Sequence, residues 1–173
     1  MPRAVPEDMT RTRWSGADDA GALADLHGAA WRHAYAGIIP GVALERMIAA
    51  RGPSWWRRLH GAGARALVVE FDGALAGYAT LGRARGSDRA ERTGEIYELY
   101  LRPAYQGIGL GRRLFLDARA RLADHGLPGL RVWALAENTA ARRFYAAMGG
   151  AEWARARDRI GGRDLEKIGY RWP

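Results

Sequence analysis

The sequence predicts a single-domain α/β protein, on three observations. The chain has 173 residues, the length of one domain. Short apolar runs alternate with segments of helical period along it. The stretch Gly94 to Arg113 runs from a strand through a glycine-rich turn into a helix start.

The elements follow in order. Residues 1–9 carry two prolines and no pattern, and are expected to form a loose tail ahead of one domain at 10–173. Arg11 to Trp14 suits a first strand. Ser15 to Asp18 resembles a capping box. Leu23, Leu26, Ala30 and Trp31 recur at helical spacing, so a helix is expected to about Tyr35. Gly37 to Pro40 breaks it. Further helical pieces are expected through Leu44, Met47 and Ile48, and around Trp55 to Leu59.

Ala66 to Phe71 is a strand, and Leu75 to Leu81 is its hairpin partner. Asp72-Gly73 between them suits a type I′ turn, whose two central residues need positive φ. The polar stretch from Gly82 to Thr93 reads as a loop. Glu95 to Leu101 is an apolar strand that Pro103 stops, for want of an N–H. Leu110, Leu114, Ala118 and Leu122 share one face of the next helix, which Gly126 ends. Leu130 to Leu135 is a strand. Asn138 can cap a helix running through Met148. Trp153 to Ile160 and Arg163 to Tyr170 form a closing hairpin around Gly161-Gly162.

Composition narrows the chemistry. There is no cysteine, which excludes disulfides, thiol catalysis and Cys-ligated zinc. The four histidines show no metal-ligand spacing, so no metal is expected. No apolar run approaches the ~20 residues of a membrane span, and a cytoplasmic protein is expected. The formal charge is +8, and Lys167 is the sole lysine, so arginine carries almost all of it. Such a surface attracts polyanions, whether nucleic acid or a phosphate-rich cofactor. The arginines are scattered rather than gathered in a tract, so nucleic acid is the less expected of the two.

The turn Gln106-Gly107-Ile108-Gly109-Leu110-Gly111 holds three glycines in five residues, which lets the backbone approach a ligand closely. The helix after it aims free N–H groups and a positive dipole end at the same spot. It is neither a Rossmann fingerprint nor a P-loop, because G-x-G-x-x-G fails at Arg112 and no Gly-Lys-Ser/Thr follows. It does fit Q/R-x-x-G-x-G/A. Here the chain resembles the GNAT superfamily of acetyl-CoA-dependent N-acetyltransferases. The Y-L-R-P end of the preceding strand is similar to that family's fourth strand. Downstream, Asn138, Ala141, Phe144, Tyr145 and Gly149 match its N-x-x-A-x-x-F-Y-x-x-x-G helix. One departure is Gly150, where members usually carry phenylalanine, which bears on packing of the next strand.

The resemblance implies a GNAT-like fold: a mixed, mostly antiparallel twisted sheet of six to seven strands with helices on both faces. Residues 10–62 would be acceptor-side helices, and 64–173 the acetyl-CoA-binding core and closing hairpin. Acetyl-CoA is the implied cosubstrate. Backbone from Gln106, Gly107, Ile108, Gly109, Leu110 and Gly111 would hold its pyrophosphate, with Arg112 and Arg113 adding charge nearby. The strand Leu99, Tyr100 and Leu101 would bond the pantetheine arm, and the Leu99 N–H would stabilise the thioester oxygen. Asn138 could bond the same arm. Tyr145 would give a proton to the leaving thiolate.

An acceptor amine must lose a proton before attack, and a carboxylate can take it. Glu95 and Glu98 are the candidates, and Glu98 could also grip the amine. Period-2 alternation sets the two on opposite faces unless a bulge re-aims one. Trp31 and Tyr35 would wall the acceptor pocket. A small-molecule amine is favoured as acceptor over a protein N-terminus or lysine, and a homodimer is left open. Two rivals remain: a non-catalytic acyl-CoA sensor of the same fold, and a basic nucleic-acid-binding module.

Overall fold

The computed structural model describes residues 9–86 and 92–173. A seven-stranded sheet has the order β1-β2-β3-β4-β5-β7-β6. The strands are β1 (Thr10–Trp14), β2 (Leu67–Phe71), β3 (Ala74–Arg83), β4 (Thr93–Leu101), β5 (Gly129–Leu135), β6 (Ala151–Ile160) and β7 (Arg163–Trp172). The helices are α1 (Ala20–Tyr35), α2 (Gly41–Ala50), α3 (Pro53–Gly61), α4 (Leu110–Asp124) and α5 (Thr139–Ala147). All neighbours pair antiparallel except β4 and β5, which are parallel. This is the expected mixed, mostly antiparallel α/β sheet. The first eight residues, which hold most of the expected tail, lie outside the described part; Met9 already accepts the Asp72 N–H through its carbonyl.

The β2–β3 turn has the expected dihedral signs, with φ of 49° at Asp72 and 76° at Gly73. The helix start differs from expectation. It is the Asp19 carboxylate, not Asp18, that accepts the Gly16 N–H at 2.8 Å. Ser15 instead turns inward, accepting from the Ala66 N–H and bonding His60. Asp19 is held in turn by Arg13, whose guanidinium is the main cause of its lowered pKa.

The two faces carry separate cores. Leu110, Leu114, Phe115, Ala118 and Leu122 of α4 pack with Ile96, Val132, Ile168 and Trp172 on one face, joined by Tyr145 of α5. Leu23, Leu26 and Ala30 of α1 pack with Trp56, Val68 and Tyr78 on the other. Gly150 has a local explanation. A Cβ there would sit 2.5 Å from the Trp172 ring, whose indole donates to the Met148 carbonyl at 2.9 Å. Trp172 thus occupies the space beside Gly150, and no side chain is needed at position 150.

Candidate active site

Two irregularities of β4 build the site. The first is a bulge: Thr80 pairs with Glu98 but Leu81 pairs with Ile96, so Tyr97 is the extra residue. Ile96 lies in the α4 core, and so do Leu99 and Leu101. Glu95, beside Ile96, and Glu98, beside Leu99, therefore share the opposite face. The alternation expected from the sequence is broken at Tyr97.

The second irregularity is a parting of the sheet. β4 and β5 pair only over Thr93–Ile96 and Gly129–Val132. Beyond Ile96 the strands separate, although β3 follows β4 to Leu101. The Arg102 N–H donates to the Ala76 carbonyl across β3 at 2.8 Å. Antiparallel ladders alternate. Tyr100 and Glu98, two and four residues earlier, thus spend their amides on β3. The amides of Leu99 and Leu101 face the gap. These are the two amides that the resemblance assigns to the pantetheine arm. The Tyr100 amide is directed at β3 instead, while Tyr100 lines the cavity and its phenol bonds Tyr35 at 2.5 Å.

The gap opens into a cavity of about 660 Å³, a volume that suits a small-molecule site. At one end lie Gln106, Gly107, Gly109, Gly111 and Arg112. Gly107 has φ of 79° and Gly109 φ of 95°, conformations that favour glycine. Gly109 is the N-cap of α4, and among the described residues no side chain caps the helix's first amides, so these face the cavity mouth. Ile108 and Leu110 turn their side chains into the core, so only their backbone is available. A Cβ at Gly111 would meet Leu101 at 3.3 Å and Phe144 at 3.4 Å, which shows how closely the first turn of α4 packs on the end of β4. Asn138 caps α5, its Oδ1 accepting the Ala141 N–H at 3.2 Å, and it lines the cavity too.

Tyr145 lines the cavity, packed against Phe115, Tyr170 and Trp172. Its hydroxyl makes no hydrogen bond among the described residues. Burial, and secondarily Tyr35, hold it above the ordinary tyrosine value, so it keeps its proton.

At the other end stand Ala30, His33, Ala34 and Tyr35 of α1 and Ile38 of the turn after it, with Tyr97, Glu98 and Trp133 of the sheet. Glu98 is heavily bonded. Arg51 Nη1 donates to its Oε2 at 2.6 Å, the Tyr78 hydroxyl to Oε2 at 3.1 Å, and the Thr80 hydroxyl to Oε1 at 3.2 Å. Tyr78 has one proton to give and a carboxylate can only accept. Tyr78 therefore accepts from His27 Nδ1, 2.8 Å away. His27 is fully buried, with Nε2 unpartnered.

Glu95 plays a different part. It is 3% exposed and does not line the cavity. It accepts from the Arg85 N–H at 2.9 Å and from the Arg85 guanidinium at 2.8 Å. It pins the end of β3 to β4, and Arg85 in turn lies over the Tyr97 ring. Trp31 also departs from expectation. It shares a helical stripe with His27 and Tyr35, stacks on both of them and on Tyr100, and does not line the cavity. Tyr35 does.

A sheet parted at its parallel junction, with a glycine turn and a helix N-terminus at the mouth of the parting, is the architecture of an N-acetyltransferase. A family model, the acetyltransferase (GNAT) family, matches residues 29–149, and the chain belongs to that family. The uncharacterized N-acetyltransferase YuaI of Bacillus subtilis is 29% identical over 167 residues, 95% of this chain and 94% of its own. The PaiA N-acetyltransferase of Thermoplasma acidophilum, solved with coenzyme A, has the same fold, with a TM-score of 0.73, 20% identity and coverage of 94% of this chain and 99% of its own. YncA of Salmonella typhimurium, solved with its cofactor acetyl-CoA, gives 0.66, 24% identity, and 95% and 93%. The chain is an acetyltransferase, and among its described residues no helix is long and apolar enough to cross a membrane.

Proposed function

We propose that the protein transfers an acetyl group from acetyl-CoA to a primary amine by direct attack. The observation that carries this is the pair of unpaired amides, Leu99 and Leu101, facing a gap that ends at the Gly107–Gly111 turn. Such a gap suits an extended arm with a pyrophosphate tail. The glycine turn and the free first amides of α4 would hold the phosphates, with Arg112 beside them. Bound there, acetyl-CoA supplies an activated thioester.

The chain's own residues supply the rest. The Leu99 N–H is directed into the gap, where a thioester oxygen would gain negative charge. The reaction forms an N–C bond and breaks a C–S bond, so the amine gives up one proton and the departing thiolate takes one. Tyr145 holds a proton on an otherwise unbonded hydroxyl in the cavity wall and would supply the second. Glu98 would receive the first, directly or through a water. Glu95 is spent on Arg85 and is left out of the chemistry.

A thermal shift with acetyl-CoA tests the reading. At ~100 times Kd, ligand should add about 2.7 kcal/mol, a rise of roughly 5–11 °C for a domain of this size. Gly109→Glu places a side chain and a negative charge at φ of 95° in the phosphate cradle, and should abolish the rise. A folded protein free of co-purified coenzyme A that shows no rise would overturn the reading.

A further inference from the structure

Resting on that reading, we propose that the acceptor is a monoamine carried on an aromatic or apolar body rather than a polycation, and that Arg51 sets this preference by consuming the charge of Glu98. The acceptor end of the cavity is walled by Ala30, Ala34, Tyr35, Ile38, Tyr97 and Trp133, with the exposed His33 beside them. The small alanines of α1 leave room opposite the aromatic rings of the sheet. The walls therefore favour an apolar body and offer little to a chain of charges.

Charge bookkeeping points the same way. Glu98 and Glu137 are the only carboxylates that line the cavity among the described residues, and Glu137 is on the exposed rim. Glu98 is matched by Arg51 at 2.6 Å. Arg51 is in turn fixed by lying over the Trp55 ring at 4.7 Å and near Trp31 at 5.7 Å. Burial is the largest effect and opposes its charge, but Glu98, with Tyr78 and Tyr100 behind it, outweighs burial, so its pKa is raised. A second cationic centre entering this end would be desolvated without a counter-ion, which is costly.

Hydrogen-bond capacity adds a count. A carboxylate has about four lone-pair positions. Arg51 and Tyr78 take Oε2, and Thr80 takes Oε1. One position on Oε1 is left. That suits one N–H of a single amine in the act of losing its proton. It does not suit gripping a cationic chain at several points. Arg51 is the specificity-determining residue on this account, because it decides how much of the Glu98 charge an acceptor meets.

The experiment compares 2-phenylethylamine with spermidine and 1,3-diaminopropane as acceptors, by thiol release from acetyl-CoA, in wild type, Arg51→Met and Arg51→Lys. Wild type should favour phenylethylamine by tenfold or more in kcat/KM. Arg51→Met should narrow or reverse that ratio, and Arg51→Lys, which keeps the charge, should retain most of it. The acetyl-CoA thermal shift in each variant shows whether the variant folds and binds; if Arg51→Met does not fold, the wild-type ratio and Arg51→Lys decide. Spermidine or the diamine turned over as well as phenylethylamine by wild type would overturn the inference while leaving the acetyltransferase reading intact. A ratio unmoved in a folded Arg51→Met would overturn the role of Arg51. Acetyl-CoA binding with turnover of none of the three amines would overturn the acceptor class, and absence of binding would overturn the reading beneath it.

Discussion

Lowering the pH from 7 to 5 should destabilise the protein through His27 by about 2 kcal/mol. His27 is 0% exposed. Its one bonded nitrogen gives a proton to Tyr78, and its other nitrogen has no partner to receive a second proton. Burial first, and Arg51 second, push its pKa from 6.5 down to about 3. Between those two values the unfolded chain binds a proton that the folded one refuses. Stability from this source is therefore intact above pH 6.5 and is lost as the pH falls toward 3, at up to about 1.4 kcal/mol per unit. Integrating the unfolded-state titration from pH 7 to 5 gives about 2 kcal/mol, or roughly 4–8 °C in Tm. Carboxylates titrate over the same range, so the quantity to read is a difference. His27→Gln keeps a donor for Tyr78 and does not titrate. Urea unfolding of both proteins at both pH values should show the wild type losing about 2 kcal/mol more than the variant. Equal losses, within about 0.5 kcal/mol, would refute the argument that a neutral His27 is enforced by its surroundings.

Two further outcomes test other parts of the structure. Tyr145→Phe should lower kcat by about ten- to a hundredfold, at the weak end of general acid catalysis because a thiolate leaves readily; the acetyl-CoA thermal shift should stay as it was, and a kcat within twofold of wild type would remove Tyr145 from the chemistry. Gly150→Ala should cost about 1–3 kcal/mol in urea unfolding, because the new methyl meets the Trp172 ring at 2.5 Å and the Tyr145 carbonyl at 3.0 Å; a loss under about 0.5 kcal/mol would show that Trp172 yields its place freely.

Local signals made much of this fold legible. Asp72-Gly73, Pro103, Gly126 and the Asn138 cap each act within a few residues, and each stands where the sequence put it. The glycine turn was legible for the same reason, since positive φ is a property of the residue itself. Glu98 and Glu95 show where such reasoning stops. Their shared face depends on a bulge at Tyr97, and nothing in Ile96-Tyr97-Glu98 distinguishes a bulged strand from a regular one. The partners of Glu98 were hidden for a second reason. Tyr78 and Thr80 reach it through the register of β3 on β4, and those strands are joined by a long polar stretch rather than a tight turn that would set the register. Arg51 comes from a helix end 47 residues away in sequence. His27 looked unremarkable because no metal spacing surrounds it, and its importance lies in a bond to Tyr78 across 51 residues. Gly150 departs from the family pattern, and only the contact with Trp172 explains why.

The parted sheet has a mechanical consequence. It consists of two antiparallel plates, β1 to β4 and β5 with β7 and β6, that share four rungs, Thr93–Ile96 on Gly129–Val132, at one end. Plates joined along one short edge can swing about it, and the far ends of β4 and β5 have the longest lever. Anything that bonds across the open end works as a brace, stiffening both plates at once without touching most of either. Its occupancy should then be readable far from the cavity, as slowed amide exchange along the four rungs that act as the pivot.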